Sequence, residues 1–499
     1  MTELGTLLPG TYLALRGDFM LKPDGGRAIL YPLDVNDPRV TVLRPFEGLV
    51  LSLVSGKRTL AELRSLYAAL FPAGDGDNLT AVLESIDSMV KKNRTGSGVG
   101  KDGVFVHSSS PMEDLHHLDP RDFAIDPARF GESQSSFKTR IRLETPISLL
   151  CVFTWRCTTN CAYCYAERRN TEEMSLGWWR SLLSQARELG IRMCSPDNGD
   201  VLARSDGVDL LEALLENDFL FLLSTKSLVT ADAVRRLVEA GFCQKVNGVV
   251  PRTVQLSVDA VDADIQRRIY GVPSICQRTA QSFENFTRFG LAPRIKMVVT
   301  GVNCGEAKAL VDYFYPLGAR QFHFIRYSRS FFRHHDGLFL TADQVGCFRR
   351  QYEEIQAQYP DAACWQDVLA RNGSGPVDAE DRRRIWMNRK GCGGGWLSLG
   401  VNADGRAFLC EQTRMNGDFI VGDLRTQSIR EVWSGQKMLD FIYPPRNQFA
   451  GTICYECEDF EQCMWEKGRC YRDAYFAYGT VYDSPPMCPK NDRPGLRLT

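Results

Sequence analysis

Excess charge, long apolar runs and an export signal are all missing from this sequence, and so is any cysteine in its first 150 residues. Lys and Arg number 60 against 61 Asp and Glu, a formal net charge of -1. That removes the electrostatic footprint of a protein living on nucleic acid or anionic lipid. The longest apolar stretches, at 49–54 and 219–223, meet Ser, Gly or Lys within a few residues, far short of a membrane span. The first ten residues hold no basic patch leading into an apolar stretch, so no signal peptide is expected. The absences leave a soluble, cytoplasmic protein with no nucleic-acid and no membrane partner as the expectation.

What is present is an ordinary globular balance, 44% hydrophobic over 499 residues, enough for two to four domains. Seventeen cysteines stand out. An odd count in a large chain without an export signal argues against a disulfide framework. Nine of them fall in two groups, 151–164 and 454–488, and such clusters in a reducing compartment point to metal.

Residues 1–92 read as a small strand-then-helix domain. Strands are expected at 11–16, 19–21 and 28–33, separated by Gly-Asp and Pro-Asp-Gly-Gly turns. Thr59 and Glu62 form a capping box ahead of Leu60, Leu63, Leu66, Tyr67 and Leu70, one helix face, and 79–90 is a second amphipathic segment. Residues 93–145, with Gly and Ser concentrated at 95–100, read as a linker with one short helix. From 146 to 340 apolar strands (148–154, 191–194, 219–224, 254–259, 295–300, 321–327) alternate with amphipathic helices such as 178–189, 231–240 and 280–289. The expectation is an α/β fold, a parallel sheet or partial barrel covered on both faces. A helical bridge fills 341–390. Residues 391–499, with seven cysteines and few long helices, read as a region that folds around metal.

The sharpest motif is Cys157-Thr-Thr-Asn-Cys161-Ala-Tyr-Cys164, directly after the first strand of the α/β region. Three thiolates at this spacing suit three irons of a four-iron cluster and leave the fourth open to a ligand, which turns an electron carrier into a catalyst. A zinc site with a distant fourth ligand is the plainer alternative, though zinc sites usually use CxxC pairs.

With aromatic Tyr163 before its last cysteine, the loop resembles the signature of radical S-adenosylmethionine (SAM) enzymes. The resemblance covers about 146–340 and implies a partial (β/α)6 barrel. It also implies a [4Fe-4S] cluster on Cys157, Cys161 and Cys164 whose open iron chelates SAM, and reductive cleavage of SAM to a 5'-deoxyadenosyl radical. The family's Gly-Gly-acid sequence is matched by Asn198-Gly199-Asp200, with Asn198 in place of the first Gly. It implies SAM contacts from Gly199 and Asp200, and further contacts from Tyr163, Ser257, Asp259 and Arg268. The carboxy-terminal cysteines resemble a SPASM extension with two auxiliary clusters, Cys454, Cys457, Cys463 and Cys488 holding one and Cys392, Cys410 and Cys470 the other. Here six residues separate Cys463 from Cys470 where the family commonly has three.

The front domain resembles the winged-helix-like leader-peptide recognition element of ribosomal-peptide maturases, in which an edge strand accepts the leader as an added strand. DNA binding, the usual alternative for that shape, is poorly served by ten Lys or Arg against eleven Asp or Glu over 1–92. The resemblance implies a maturase of the sactipeptide or ranthipeptide kind, or a related crosslinking enzyme. It would modify a precursor peptide, forming a thioether or carbon–carbon crosslink, with flavodoxin or ferredoxin as electron donor. The alternatives are a sulfatase-maturing type of oxidase, which normally lacks the leader domain, and a non-catalytic iron–sulfur or zinc-stabilised peptide-binding protein. Cys151, Cys194, Cys243, Cys276, Cys304, Cys347 and Cys364 read as small buried residues, and His334-His335 as a solvated loop pair.

Overall fold

Residues 4–34, 39–72, 78–94, 103–124, 142–167, 171–248, 250, 252–369, 379–389 and 391–493 are described by a computed structural model of the chain. It divides into two compact units, Met1–Thr145 with Cys243–Pro251, and Pro146–Phe242 with Arg252–Thr499.

In the first unit β1 (Tyr12–Leu15), β2 (Phe19–Asp24), β3 (Arg27–Pro32), β4 (Thr41–Leu43), β5 (Ser55–Thr59) and β6 (Phe105–Ser108) make two three-stranded antiparallel sheets, β5-β1-β6 and β2-β3-β4. Gly25 and Gly26, both at positive φ, close the β2–β3 hairpin as the paired left-handed residues of its two-residue turn must. Helices α1 (Pro45–Ser52), α2 (Leu60–Leu70) and α3 (Asn78–Arg94) accompany them. The expected capping box opens α2, with Glu62 N–H donating to Thr59 Oγ1 (3.3 Å) and Thr59 N–H to Glu62 Oε2 (2.7 Å). Leu13, Phe19, Leu30, Leu51, Leu63 and Ile86 form the shared core. The 93–145 stretch is more than a linker: it supplies β6, and Phe123 is buried in this core. Residues 95–100 lie outside those described.

In the second unit β7 (Ser148–Cys151), β8 (Met193–Pro196), β9 (Leu220–Thr225), β10 (Thr253–Ser257), β11 (Arg294–Val299) and β12 (Gln321–Arg326) lie side by side in chain order, all parallel. They are the six expected strands. The connections carry α4 (Leu176–Glu188), α5 (Gly207–Glu216), α6 (Ala231–Glu239), α7 (Ala263–Tyr270), α8 (Ile275–Thr287) and α9 (Ala307–Phe314). Phe221, Phe283, Phe314 and Phe322 pack between helices and sheet, each fully buried.

The sheet does not stop at six strands. The helical bridge holds α10 (Ala342–Gln358) but also β13 (Ala363–Gln366), which joins β12 in parallel. At the other edge β14 (Ser398–Val401) pairs in parallel with β7, and β15 (Arg406–Phe408) and β16 (Ile420–Asp423) continue antiparallel. A turn at Asn402–Gly405 joins β14 to β15, and Trp155 Nε1 donates to Asn402 Oδ1 (2.9 Å), tying that turn to the chain entering the cysteine motif. No helix among the described residues is long and apolar enough to cross a membrane.

Candidate active site

The Cys157–Cys164 loop leaves the carboxyl end of β7 and is held by backbone contacts. A helix ends with carbonyls that lack intrahelical partners. Two of those in α7 are taken by the loop: Asn160 N–H donates to Tyr270 O (3.0 Å) and Ala162 N–H to Ile269 O (2.8 Å). Gly271, at φ 80°, ends that helix in the left-handed conformation. Ser330 Oγ donates to Cys164 O (2.7 Å), and Arg333 donates to Asn160 Oδ1. Thr159 Oγ1 lies 3.4 Å from Cys157 Sγ and 3.3 Å from Cys161 Sγ, so the two sulfurs stand no more than 6.7 Å apart.

All three thiols line a cavity of about 300 Å³. Its walls come from the strand ends, including Gly199, Asp200, Lys226, Ser257, Lys296 and Tyr327, the location used by catalytic sites on this class of sheet. Asn198 stands at φ 77°, a conformation Asn tolerates better than most residues, which accounts for Asn where the family has Gly. Both polar atoms of its buried side chain lack a partner and it lines the cavity, the mark of a wall shaped for a polar ligand. Gly199 is forced: a Cβ there would lie 2.0 Å from Thr154 O and 2.8 Å from Arg156 O, both backbone atoms. Gly199→Ala is expected to lower stability by about 1–3 kcal/mol through overpacking, measured by thermal unfolding. An unchanged melting temperature would mean the loop has room that this packing denies.

Burial and a buried cation act on the sulfur in opposite directions. Burial pushes the Cys161 thiol up, while Lys226 and the Thr159 hydroxyl oppose it. For Lys226, burial alone would pull the amine down, but Cys161, Asp259, Cys157 and Cys164 together carry it above its ordinary range. Its Nζ stands 5.8 Å from the ring centroids of both Tyr163 and Tyr270. The cavity wall also holds an acid, Asp197, whose carboxyl burial raises against the pull of Lys296; burial followed by Asp197 raises that of nearby Glu411. The Tyr165 hydroxyl is raised by burial, then by Asp197 and Glu411.

The other expected contacts divide. Ser257 and Tyr163 line the cavity. Asp259 is fully buried and works through Tyr163: one carboxylate oxygen accepts from the Tyr163 hydroxyl, and the other from Val298 N–H (2.8 Å). Asp200 is 4% exposed, and its Oδ2 accepts from Thr225 Oγ1 (2.7 Å), Ser227 Oγ (2.9 Å), Ser227 N–H (3.1 Å) and Lys226 N–H (3.2 Å), with Leu202 N–H on Oδ1 (3.2 Å). Arg268 is not brought to the cavity; it is exposed on α7. Lys226 escaped sequence reasoning, though a charge set directly on the end of an apolar strand was the available signal. His334 is not a solvated loop residue, its side chain being 10% exposed and bonded to the Tyr327 hydroxyl (2.8 Å) and Asp336 Oδ1 (2.9 Å). Of the scattered cysteines, Cys151, Cys194 and Cys276 are buried as expected, whereas Cys243 is exposed.

Two further thiol groups occupy the carboxy-terminal region. Cys454, Cys457, Cys463 and Cys488 line one hollow with Phe460, Met464 and Arg469. Burial pushes the Cys454 thiol up to about 12, and Cys488 and Cys457 add to it. Cys392, Cys410 and Cys470 form the other group. Burial raises the Cys410 thiol, with Glu411, Cys392 and Cys470 reinforcing it, and burial takes Cys470 up to about 12. Among the described residues no three His, Cys, Asp or Glu side chains converge on a single-ion site.

Residues 392–458 match the SPASM family, an iron–sulfur cluster-binding domain. The match takes in Cys392, Cys410, Cys454 and Cys457 and stops before the irregular spacing at Cys463. The chain is 24% identical over 372 residues to the PqqA peptide cyclase of Rhizobium meliloti (strain 1021), spanning 72% of this chain and 92% of that protein. With the Gluconobacter oxydans (strain 621H) PqqA peptide cyclase it shares 24% identity over 364 residues, 70% of this chain and 92% of that one. Among solved structures it shares the fold of Streptococcus suis SuiB, seen bound to S-adenosylmethionine (TM-score 0.60) and to the precursor peptide SuiA (TM-score 0.59). Each comparison is at 16% identity over 95% of this chain and 99% of that one. Motif, fold and domain match agree in supporting a radical SAM enzyme with a SPASM domain, with S-adenosylmethionine and [4Fe-4S] clusters as cofactors.

Proposed function

We propose that this enzyme matures a ribosomally made precursor peptide, joining two of its residues through a thioether or carbon–carbon bond. The observation that carries the reading is the cavity itself, with three thiols, an orphaned Asn198 amide and the charge of Lys226 converging on one space at the strand ends. The PqqA peptide cyclases, named for action on a peptide, and SuiB, solved with its precursor peptide, support the substrate class.

Cys157, Cys161 and Cys164 would hold one cluster, and the two carboxy-terminal groups the auxiliary ones. Bound there, cluster and SAM supply a radical able to take hydrogen from an unactivated carbon. The chain's own residues prepare the space. Lys226 offsets the negative charge of thiolates. Asp259 locks the Tyr163 ring against the cavity wall. Gly199 and Asn198 admit a ligand close to the backbone, and the Asp197 carboxylate, made more basic by burial, would accept the proton that a crosslink must shed. The first unit would bind the leader along the edge of its β2-β3-β4 sheet, where β2 and β4 are the outer strands. Flavodoxin or ferredoxin would deliver electrons. Seventeen cysteines, most of the carboxy-terminal ones gathered in groups, suit the reducing cytoplasm.

The test is incubation of reduced, iron-loaded enzyme with SAM and candidate precursors, followed by mass spectrometry. A full-length precursor is expected to drive 5'-deoxyadenosine formation and to emerge lighter by two hydrogens. The leaderless core is expected to react at least about tenfold more slowly, since the leader's binding energy is lost, and free leader should compete. Equal rates with and without leader would favour an oxidase of the sulfatase-maturing type.

A further inference from the structure

The six-residue gap between Cys463 and Cys470 is filled by a π-helical turn, Gln462–Lys467, and by Gly468 at φ 69°. Such turns are uncommon and concentrate at functional sites. Arg389 clasps both ends of this one, donating through Nη2 to Cys463 O (3.5 Å) and Gly468 O (2.8 Å) while its guanidinium stacks 3.7 Å over Trp386. The longer gap delivers Arg469 into the protein beside the hollow of Cys454, Cys457, Cys463 and Cys488.

Arg469 is 5% exposed. One nitrogen, Nη1, donates to Val481 O; Nε and Nη2 are buried without a partner. Its guanidinium lies over the rings of Phe449 (5.1 Å), Tyr471 (5.5 Å) and Tyr482 (5.9 Å). The nearby carboxylate, Asp483, is already paired with Arg493 (2.5 Å), and among the described residues no acid bonds to Arg469. A guanidinium does not shed its proton in a protein. A buried cation with two orphaned donors is costly unless an anion completes its surroundings. Besides the phenols of Tyr471 and Tyr482, the groups around it that can turn anionic are cysteine sulfurs, Cys454 of one set and Cys470, its chain neighbour, of the other.

We infer that Arg469 is a positioning cation for the auxiliary cluster of Cys454, Cys457, Cys463 and Cys488, its Nε and Nη2 donating to sulfur and its charge holding that cluster's reduction potential up. This rests on the reading that those cysteines hold a cluster. A fixed positive charge in a dry site stabilises the reduced, more negative form, and hydrogen bonds to sulfur act in the same direction. Arg469 thereby makes this cluster the better electron acceptor.

The experiment is an EPR-monitored potentiometric titration of the full-length, iron-reconstituted chain carrying Cys157→Ala, Cys161→Ala and Cys164→Ala, so that only auxiliary clusters report. Arg469→Met and Arg469→Lys are compared in that background. At the potential where one auxiliary signal is half reduced, Arg469→Met is expected to raise its oxidised-to-reduced ratio at least tenfold, a shift of about 59 mV to lower potential for one electron. Arg469→Lys, which keeps the charge, is expected to stay within about threefold. Loss of that cluster's iron in the Met variant alone, with Lys loaded and unshifted, also supports the inference, because charge is then needed to hold the cluster. A Met variant that loads fully with no shift overturns it, as does a Lys variant shifted as far as Met or iron lost from both. Absence of auxiliary iron from the parent triple variant would instead sink the cluster assignment itself.

Discussion

Replacing Cys157, Cys161 and Cys164 together by alanine is expected to abolish 5'-deoxyadenosine formation while leaving a folded protein that keeps most of its iron. With three four-iron clusters the full complement is about twelve irons per chain, falling to about eight in the variant. The protein should stay folded because the loop is pinned through its backbone and through Ser330, none of which the substitutions touch. Activity disappears because, among the described residues, no other thiol lines this cavity; Cys151, the nearest in sequence, is buried within β7. Iron quantification and chromatographic assay of SAM cleavage check both halves. Persistent cleavage in the variant would move the initiating site elsewhere, and bound zinc in the wild type would leave a metal-stabilised binding protein as the better account.

Asp200→Ala is expected to be the most destabilising single change at the cavity, by about 3–5 kcal/mol. The carboxylate gathers five donors from two loops, three of them backbone N–H groups. Its truncation strands the hydroxyls of Thr225 and Ser227, residues 3% and 6% exposed, and loosens the backbone that carries Lys226. The variant should melt well below the wild type and bind SAM weakly even where it is folded. Asp200→Asn, which can keep one oxygen toward Thr225–Ser227 while losing the Leu202 bond, should fall between the two. Thermal unfolding and equilibrium binding of SAM supply the comparison; a melting temperature equal to the wild type in Asp200→Ala would show that water satisfies those donors.

The parallel strands were legible because burial on both faces leaves a continuous apolar run, as at 219–224, and their order followed from the helices between them. The cysteine loop was legible because thiol spacing is a local property. Pairing across long separations leaves no such trace: nothing in Ser398–Val401 announces that its partner is β7, and nothing in Ala363–Gln366 sets it apart from a helical bridge. The roles of Asp259 and Asp200 were hidden for a related reason. Sequence places them near strand ends, where a cofactor contact is a fair expectation, but which way a carboxylate turns depends on donors from other loops. Arg268 sits on a helix whose exposed face sequence alone does not orient toward or away from the cavity. Arg469 was overshadowed by the cysteines flanking it; the irregular gap was visible, but its burial was not.

The pairing of β7 with β14 also bears on how the molecule is made. Ser148 meets Ser398, 250 residues later in the chain. At ribosomal speeds of about 5–20 residues per second, the open side of β7 waits roughly 12–50 seconds for its partner, with unpaired N–H and C=O groups that invite pairing with another chain. Until β14 arrives, the hairpin that grips Trp155 does not exist, and the approach to Cys157 lacks one wall. Iron supplied to a nascent chain would meet thiols before the scaffold that spaces them. Productive loading of this loop therefore belongs after β14 has been made, and chains cut short before residue 398 should accumulate as aggregates rather than as half-active enzyme.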